Sequence, residues 1–226
     1  MLKVAENILG RKLKIQEGID HLQVQQVKAK LGEKLPKVLE EFYSYVGNIS
    51  LFMEGNHRFF NVEELFIKDE KLVFLAENQQ VLYWAVDLAN QKTVYQTTSD
   101  IESEHFVWHK EEFELEQFLE MMLFVQCVCA DEEYHRILEG GYTYFAYLEV
   151  KNAKEHTLTW LLDRLKEQWQ NVVQGNDVAV FLYPKSMLIY FIDSAGNPDK
   201  TSMIWMCTKD QRLFDEWIDV YGFMEL

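Results

Sequence analysis

The chain lacks most of what marks a specialised sequence class. Only three cysteines, Cys127, Cys129 and Cys207, occur in 226 residues. That odd, low number gives no disulfide framework and no C-x-x-C pair, so buried thiols in a reducing compartment are expected. Three prolines and ten glycines leave no place for long disordered or low-complexity stretches. Long apolar runs are missing too. The densest, about Phe118–Ala130, is broken by Glu120 and Gln126 and is too short and polar to cross a bilayer. The opening MLKVAENILGRKLKIQEG is charged and amphipathic, unlike a secretory signal. Cytoplasmic residence without a membrane partner is therefore expected. Basic residues are also few: 22 Lys and Arg against 37 Asp and Glu, a net charge of −15. Such a field repels phosphate backbones, which argues against a nucleic-acid partner, and attracts basic proteins. Its blander use is to keep copies of a soluble protein apart.

What is present is apolar periodicity. Residues 48% hydrophobic and 14% aromatic can fill a sizeable core. One helix is expected from the start to about Ile19, with Ile8, Leu9, Leu13 and Ile15 inward and Gly18 ending it. His21–Leu31 reads as strand or short helix. Pro36–Val46 reads as a helix: Pro36 suits its first turn, and Leu39, Phe42 and Val46 recur at helical spacing before Gly47. Ser50–Met53 and Arg58–Asn61 around a polar turn suggest a hairpin, followed by a helical turn at 63–66. Strands are expected at Lys71–Glu77, Gln80–Asp87, Thr93–Gln96 and Phe106–Trp108, then a helix over Leu115–Ala130. The polar stretch Asp131–Gly141 is the best boundary. Beyond it come a strand at Thr143–Val150, a helix at Glu155–Val173, a hairpin of Val178–Tyr183 with Met187–Asp193, a strand at Met203–Cys207 and a helix at Gln211–Tyr221. The fold class is α+β, with one unit over 1–130 and an α+β extension over 131–226. Whether that extension folds alone or completes the first unit's sheet stays open, as does the oligomeric state.

Three patches carry a family resemblance. The first is Leu35-Pro36-Lys37-Val38-Leu39-Glu40-Glu41-Phe42-Tyr43 with Gly47. The second is the pair Leu72–Val81 and Tyr83-Trp84-Ala85-Val86, with Glu77 in an E-x-Q turn. The third is Leu115-Glu116-Gln117-Phe118-Leu119. In order and spacing they resemble the SUKH superfamily, over about residues 32–129. The usual Gly-Gly segment after the first helix is reduced to Gly55, and the usual Asp-Pro near Lys92-Thr93-Val94 is missing. The resemblance implies a sheet, antiparallel or mixed, flanked by helices, and a protein-binding role without catalysis or cofactor. Bacterial members are typically immunity proteins that bind and block a toxin, often a nuclease or deaminase; fungal members are regulatory scaffolds in cell-wall signalling.

Chemistry-bearing constellations are weak. His105 and His109 lie four apart, but Phe106-Val107-Trp108 between them reads as strand, where such positions stand about 13 Å apart; no metal site is expected. Cys127-Val128-Cys129 ends an apolar helix and fits buried packing. Neither G-x-S-x-G nor a Gly-rich phosphate loop occurs, so no catalytic residue is nominated. An enzyme would have to show itself as a pocket of convergent polar groups in the tail. Charge is more informative. Between Asp100 and Glu120 eight acids face one base, Lys110, for a net charge of −7, against −8 for residues 1–130 as a whole. Asp100, Glu102, Glu104, Glu111, Glu112, Glu114 and Glu116 are the candidate partner-binding residues, facing a basic toxin domain in place of the phosphates a nuclease would hold.

Overall fold

The computed structural model describes residues 1–99, 103 and 106–226. The fold is α+β with two antiparallel sheets, and the chain divides into two compact units, Met1–Cys127 and Val128–Leu226.

The first unit opens with α1 (Leu2–Leu9), a 3₁₀ turn at Ile15–Glu17, α2 (His21–Lys30) and α3 (Lys37–Val46). The single N-terminal helix expected to Ile19 is thus shorter, because Gly10 turns left-handed at φ 69° and its N–H donates to the Glu6 and Asn7 carbonyls, closing α1. His21–Lys30 resolves as helix: the Asp20 carboxylate accepts from the Leu22 N–H at 2.8 Å, capping it. In α3, Leu39, Phe42, Tyr43 and Val46 fall on one buried face. The segment before α2 crosses the end of α3 so closely that a Cβ on Gly18 would sit 1.7 Å from the Ser44 carbonyl oxygen. Asn48 locks this crossing, donating its side-chain amide to the carbonyls of Gln16 at 3.2 Å and Gly18 at 2.7 Å.

Ser50–Met53 is not a strand. It forms a short helix, α4 (Ser50–Glu54), with Leu51, Phe52 and Met53 buried, so the expected hairpin with Arg58–Asn61 does not exist. A run of three apolar residues cannot distinguish the two states by periodicity, and contacts decide it. Next come β1 (Arg58–Phe59), a 3₁₀ turn at Val62–Glu64, β2 (Phe66–Lys68), β3 (Lys71–Ala76), β4 (Tyr83–Asp87), β5 (Thr93–Thr97), β6 (His109–Glu114) and α5 (Leu115–Val128). The sheet runs β1-β3-β4-β5-β6, with β2 beside the other half of β3. Phe106–Trp108 stands outside the strands, and β6 begins immediately after it. Phe74 and Trp84 pack on Phe118 of α5 at ring distances of 6.0 and 6.2 Å. The Tyr43 hydroxyl, fully buried, donates to the Phe60 carbonyl at 2.8 Å.

The second unit holds α6 (Glu132–Arg136), β7 (Tyr144–Glu149), α7 (Glu155–Gln168), β8 (Gln170–Gln174), β9 (Val178–Tyr183), β10 (Ser186–Phe191), β11 (Met203–Thr208), α8 (Gln211–Tyr221) and β12 (Met224–Glu225). Its sheet is ordered β12-β7-β11-β10-β9-β8. α7 is shorter than expected: Trp169 turns extended at φ −106°, ψ 146°, and the next five residues form β8, which pairs with β9 around a bulge at Val172. Helix α8 is fixed at both ends. The Asp210 carboxylate accepts from the N–H groups of Arg212 and Leu213, and Gly222 closes it at φ 74°, where a side chain would be strained. The core between sheet and helices includes Leu161, Leu165, Leu188, Ile204, Met206 and Trp217.

Candidate protein-binding surface

Four of the seven nominated acids lie on one continuous strand-to-helix segment. Glu111, Glu112 and Glu114 are in β6, and Glu116 is in the first turn of α5. Asp100, Glu102 and Glu104 lie outside the described residues. Among the described residues β6 is an edge strand, pairing with β5 alone. Glu112, Glu114 and Glu116 are exposed, and Glu111 is half-buried. The segment therefore carries a row of carboxylates at the end of the sheet. Two physical consequences follow. The acids deter another acidic copy from adding a strand there, and they favour a basic partner over a neutral one. Only Glu116 sits in the first turn of α5, where the helix dipole favours it; the others gain nothing of that kind as members of a strand.

Glu111 is set apart by its anchor. The Trp84 indole N–H donates to its Oε1 at 2.7 Å. Trp84 lies on β4, opposite Gln96 of β5, which in turn faces His109 of β6, so the indole reaches across a strand to fix the carboxylate. The ring itself is buried and offers no stacking platform to solvent. On its other side it meets the His57 imidazole, ring centres 5.3 Å apart.

His57 belongs to a second polar feature that sequence reasoning missed. Gln126 of α5 is fully buried. Its Oε1 accepts from the Asn56 and His57 N–H groups at 2.9 and 2.6 Å. Its Nε2 donates to the Phe52 and His57 carbonyls at 3.1 and 2.6 Å. One amide thus satisfies the turn between α4 and β1. The signal in the sequence was a lone Gln inside an apolar helix, read only as an interruption.

Burial pushes the His57 imidazole below its ordinary value, with Glu77 opposing weakly. An unfolded chain takes up that proton near pH 6.5, while the folded one resists, so the unfolded state binds more protons in the window just below. Stability is then expected to fall as pH drops from about 6.5. The stability difference between wild type and His57→Phe, followed by denaturation from pH 7.5 to 5, reads this directly. A difference that does not change with pH would remove His57 as the cause.

Other candidates are placed as follows. His109 is exposed on β6, and His105 lies outside the described residues. Among the described residues no group of three or more His, Cys, Asp or Glu side chains could hold a metal ion. None of the three cysteines is in a disulfide. Tyr142 is buried, Tyr144 stacks on Phe214 at 5.2 Å, and Tyr147 packs on Trp205 at 5.7 Å. A groove of about 550 Å³ opens in the second unit beside the start of α7, with Leu158, Leu162 and Pro198 lining it and Lys151, Glu155 and Lys200 among its charged groups. Asp193, also in its wall, is occupied in its own turn, accepting from the N–H groups of Ala195 and Asn197 at 2.9 Å. Thr159 brings the groove's one hydroxyl among the described residues, and no histidine or cysteine lines it.

No family model, curated protein or solved structure matches this chain. No helix among the described residues is long and apolar enough to cross a membrane.

Proposed function

We propose that the chain is a protein-binding module that neutralises a basic toxin domain by direct contact, acting as an immunity protein of the kind the SUKH resemblance implies. The observation that supports this reading is the acidic edge formed by β6 and the first turn of α5, with three exposed carboxylates and a fourth held by Trp84. Such an edge suits a partner whose own surface binds phosphate groups, because carboxylates in a row offer the same charge to the same lysines and arginines. The association then relies on long-range attraction, is fast at low ionic strength and weakens with salt. No catalytic step or cofactor enters this role.

The test has two parts. Retention of partners from the native organism at low and high salt, identified by mass spectrometry, is expected to yield one basic toxin domain that is lost at high salt. Recovery of wall-synthesis or signalling proteins instead would favour a regulatory scaffold. With the partner in hand, Glu112→Gln, Glu114→Gln and Glu116→Gln combined are expected to weaken binding by about 10- to 150-fold at low salt, from roughly 0.5–1 kcal/mol per charge pair. The loss should shrink as salt rises. Unchanged affinity would remove β6 as the interface.

A further inference from the structure

The sheet ends differ sharply in how they are protected. In the first sheet, β1 and β2 are two and three residues long, and β6 carries three glutamates. In the second, β12 has two residues. The remaining end is β8, Gln170-Asn171-Val172-Val173-Gln174, five residues without a charge or a proline. Among the described residues it pairs with β9 alone. Gln170, Asn171 and Gln174 are exposed, and both valines are half-buried. Proteins normally protect an edge of this length with charge, proline or brevity. β8 has a single such device, a bulge between Asn171 and Val173, which adds twist but no charge.

The sequence of β8 can also pair with a second copy of itself about a two-fold axis without opposing charges. Antiparallel pairing of two copies about Val172 sets Gln170 against Gln174 of the second copy, Asn171 against its Val173, and Val172 against its own equivalent. Amide faces amide at both ends and valine faces valine at the centre, with an Asn–Val pair on either side and no like charges opposed. We propose that β8 is a self-association edge, through which two copies of this chain join their second-unit sheets across a two-fold axis. A closed two-fold contact of this kind uses the same patch on both copies and stops at a dimer.

Each copy carries a net charge of −15, so long-range repulsion opposes the pairing. Dimerisation therefore strengthens as salt is added. Binding of a basic partner to β6 has the opposite salt dependence, so one result cannot be mistaken for the other. The Debye length falls from about 30 Å at 0.01 M to about 3 Å at 1 M salt.

The experiment is sedimentation of the full chain across a concentration series up to millimolar, at those two salt levels. The wild type is expected to move from 26.9 kDa towards double that mass as concentration and salt rise. The variant Asn171→Lys with Val173→Lys places lysine opposite lysine at the paired positions. It also makes each copy less acidic, so lost association could not be blamed on greater overall repulsion. It is expected to stay monomeric under every condition, with far-UV circular dichroism and thermal midpoint close to wild type. Asn171→Ser, which adds no charge, is expected to retain the dimer and guards against a folding artefact. A wild type that remains monomeric at high salt, or a dimer that survives the lysine pair, would overturn the proposal.

Discussion

Replacing Gln126 by leucine is expected to cost about 3–5 kcal/mol, among the largest effects of any polar substitution in this chain. The wild-type amide makes four hydrogen bonds from a fully buried position. Leucine has similar volume but leaves two N–H groups and two carbonyls at the α4–β1 turn without their partner. Each buried, unsatisfied group costs about 1–3 kcal/mol, and local relaxation lowers the sum. Glutamate at the same place keeps the acceptor but loses the donors and buries a charge, so it should be no better. Urea denaturation gives the total, and hydrogen exchange at the Asn56 and His57 amides gives the local consequence. Exchange there should accelerate with the leucine variant. A loss below about 1 kcal/mol, with those amides still protected, would show that the turn is held by its apolar neighbours alone.

The second large effect is expected from Trp217→Ala in the second unit. Trp217 is fully buried and touches Trp169, Tyr221 and Phe223, with ring centres 5.3, 5.4 and 5.0 Å away. Truncation to alanine removes a ring at the centre of that cluster, and the surrounding rings cannot all collapse into the space. The expected cost is about 3–5 kcal/mol. Trp217→Phe offers a sharper comparison. The Trp217 indole N–H is buried with no hydrogen-bond partner among the described residues. Phenylalanine therefore forfeits volume but no hydrogen bond, and is expected to cost only about 1–2 kcal/mol. Denaturation of both variants, with hydrogen exchange followed across β10 and β11, measures the difference. Equal losses for the two would mean that the indole N–H contributes something its surroundings do not reveal.

These two residues also show where sequence reasoning stops. The helix at 37–46 was legible because its buried residues recur at helical spacing after a proline and before a glycine. The strands at 71–76, 178–183 and 186–191 were legible because each is a short, dense apolar run bounded by turns. Gln211–Tyr221 was legible from the spacing of Leu213, Phe214, Trp217 and Tyr221. In each case the local pattern and the tertiary environment ask for the same conformation.

Elsewhere they disagree. His109–Glu114 was assigned no element from its sequence, yet it is the strand β6, because pairing with β5 supplies what its composition does not. Gln170–Gln174 looked like the end of a helix, yet it leaves α7 to complete the second sheet. Ser50–Glu54 coils where a strand was expected. Within the candidate surface, the acids themselves were countable from the start, but their arrangement was not. That Glu111 is held by an indole two strands away, while Glu112 and Glu114 face solvent, follows from sheet register, a property of pairing rather than of sequence. The sequence by itself determined the α+β class, the acidic charge and most long elements, because these depend on local periodicity and composition. Edges, anchors and buried polar clamps were decided only by tertiary structure, because each depends on groups far apart in the chain meeting within hydrogen-bond distance.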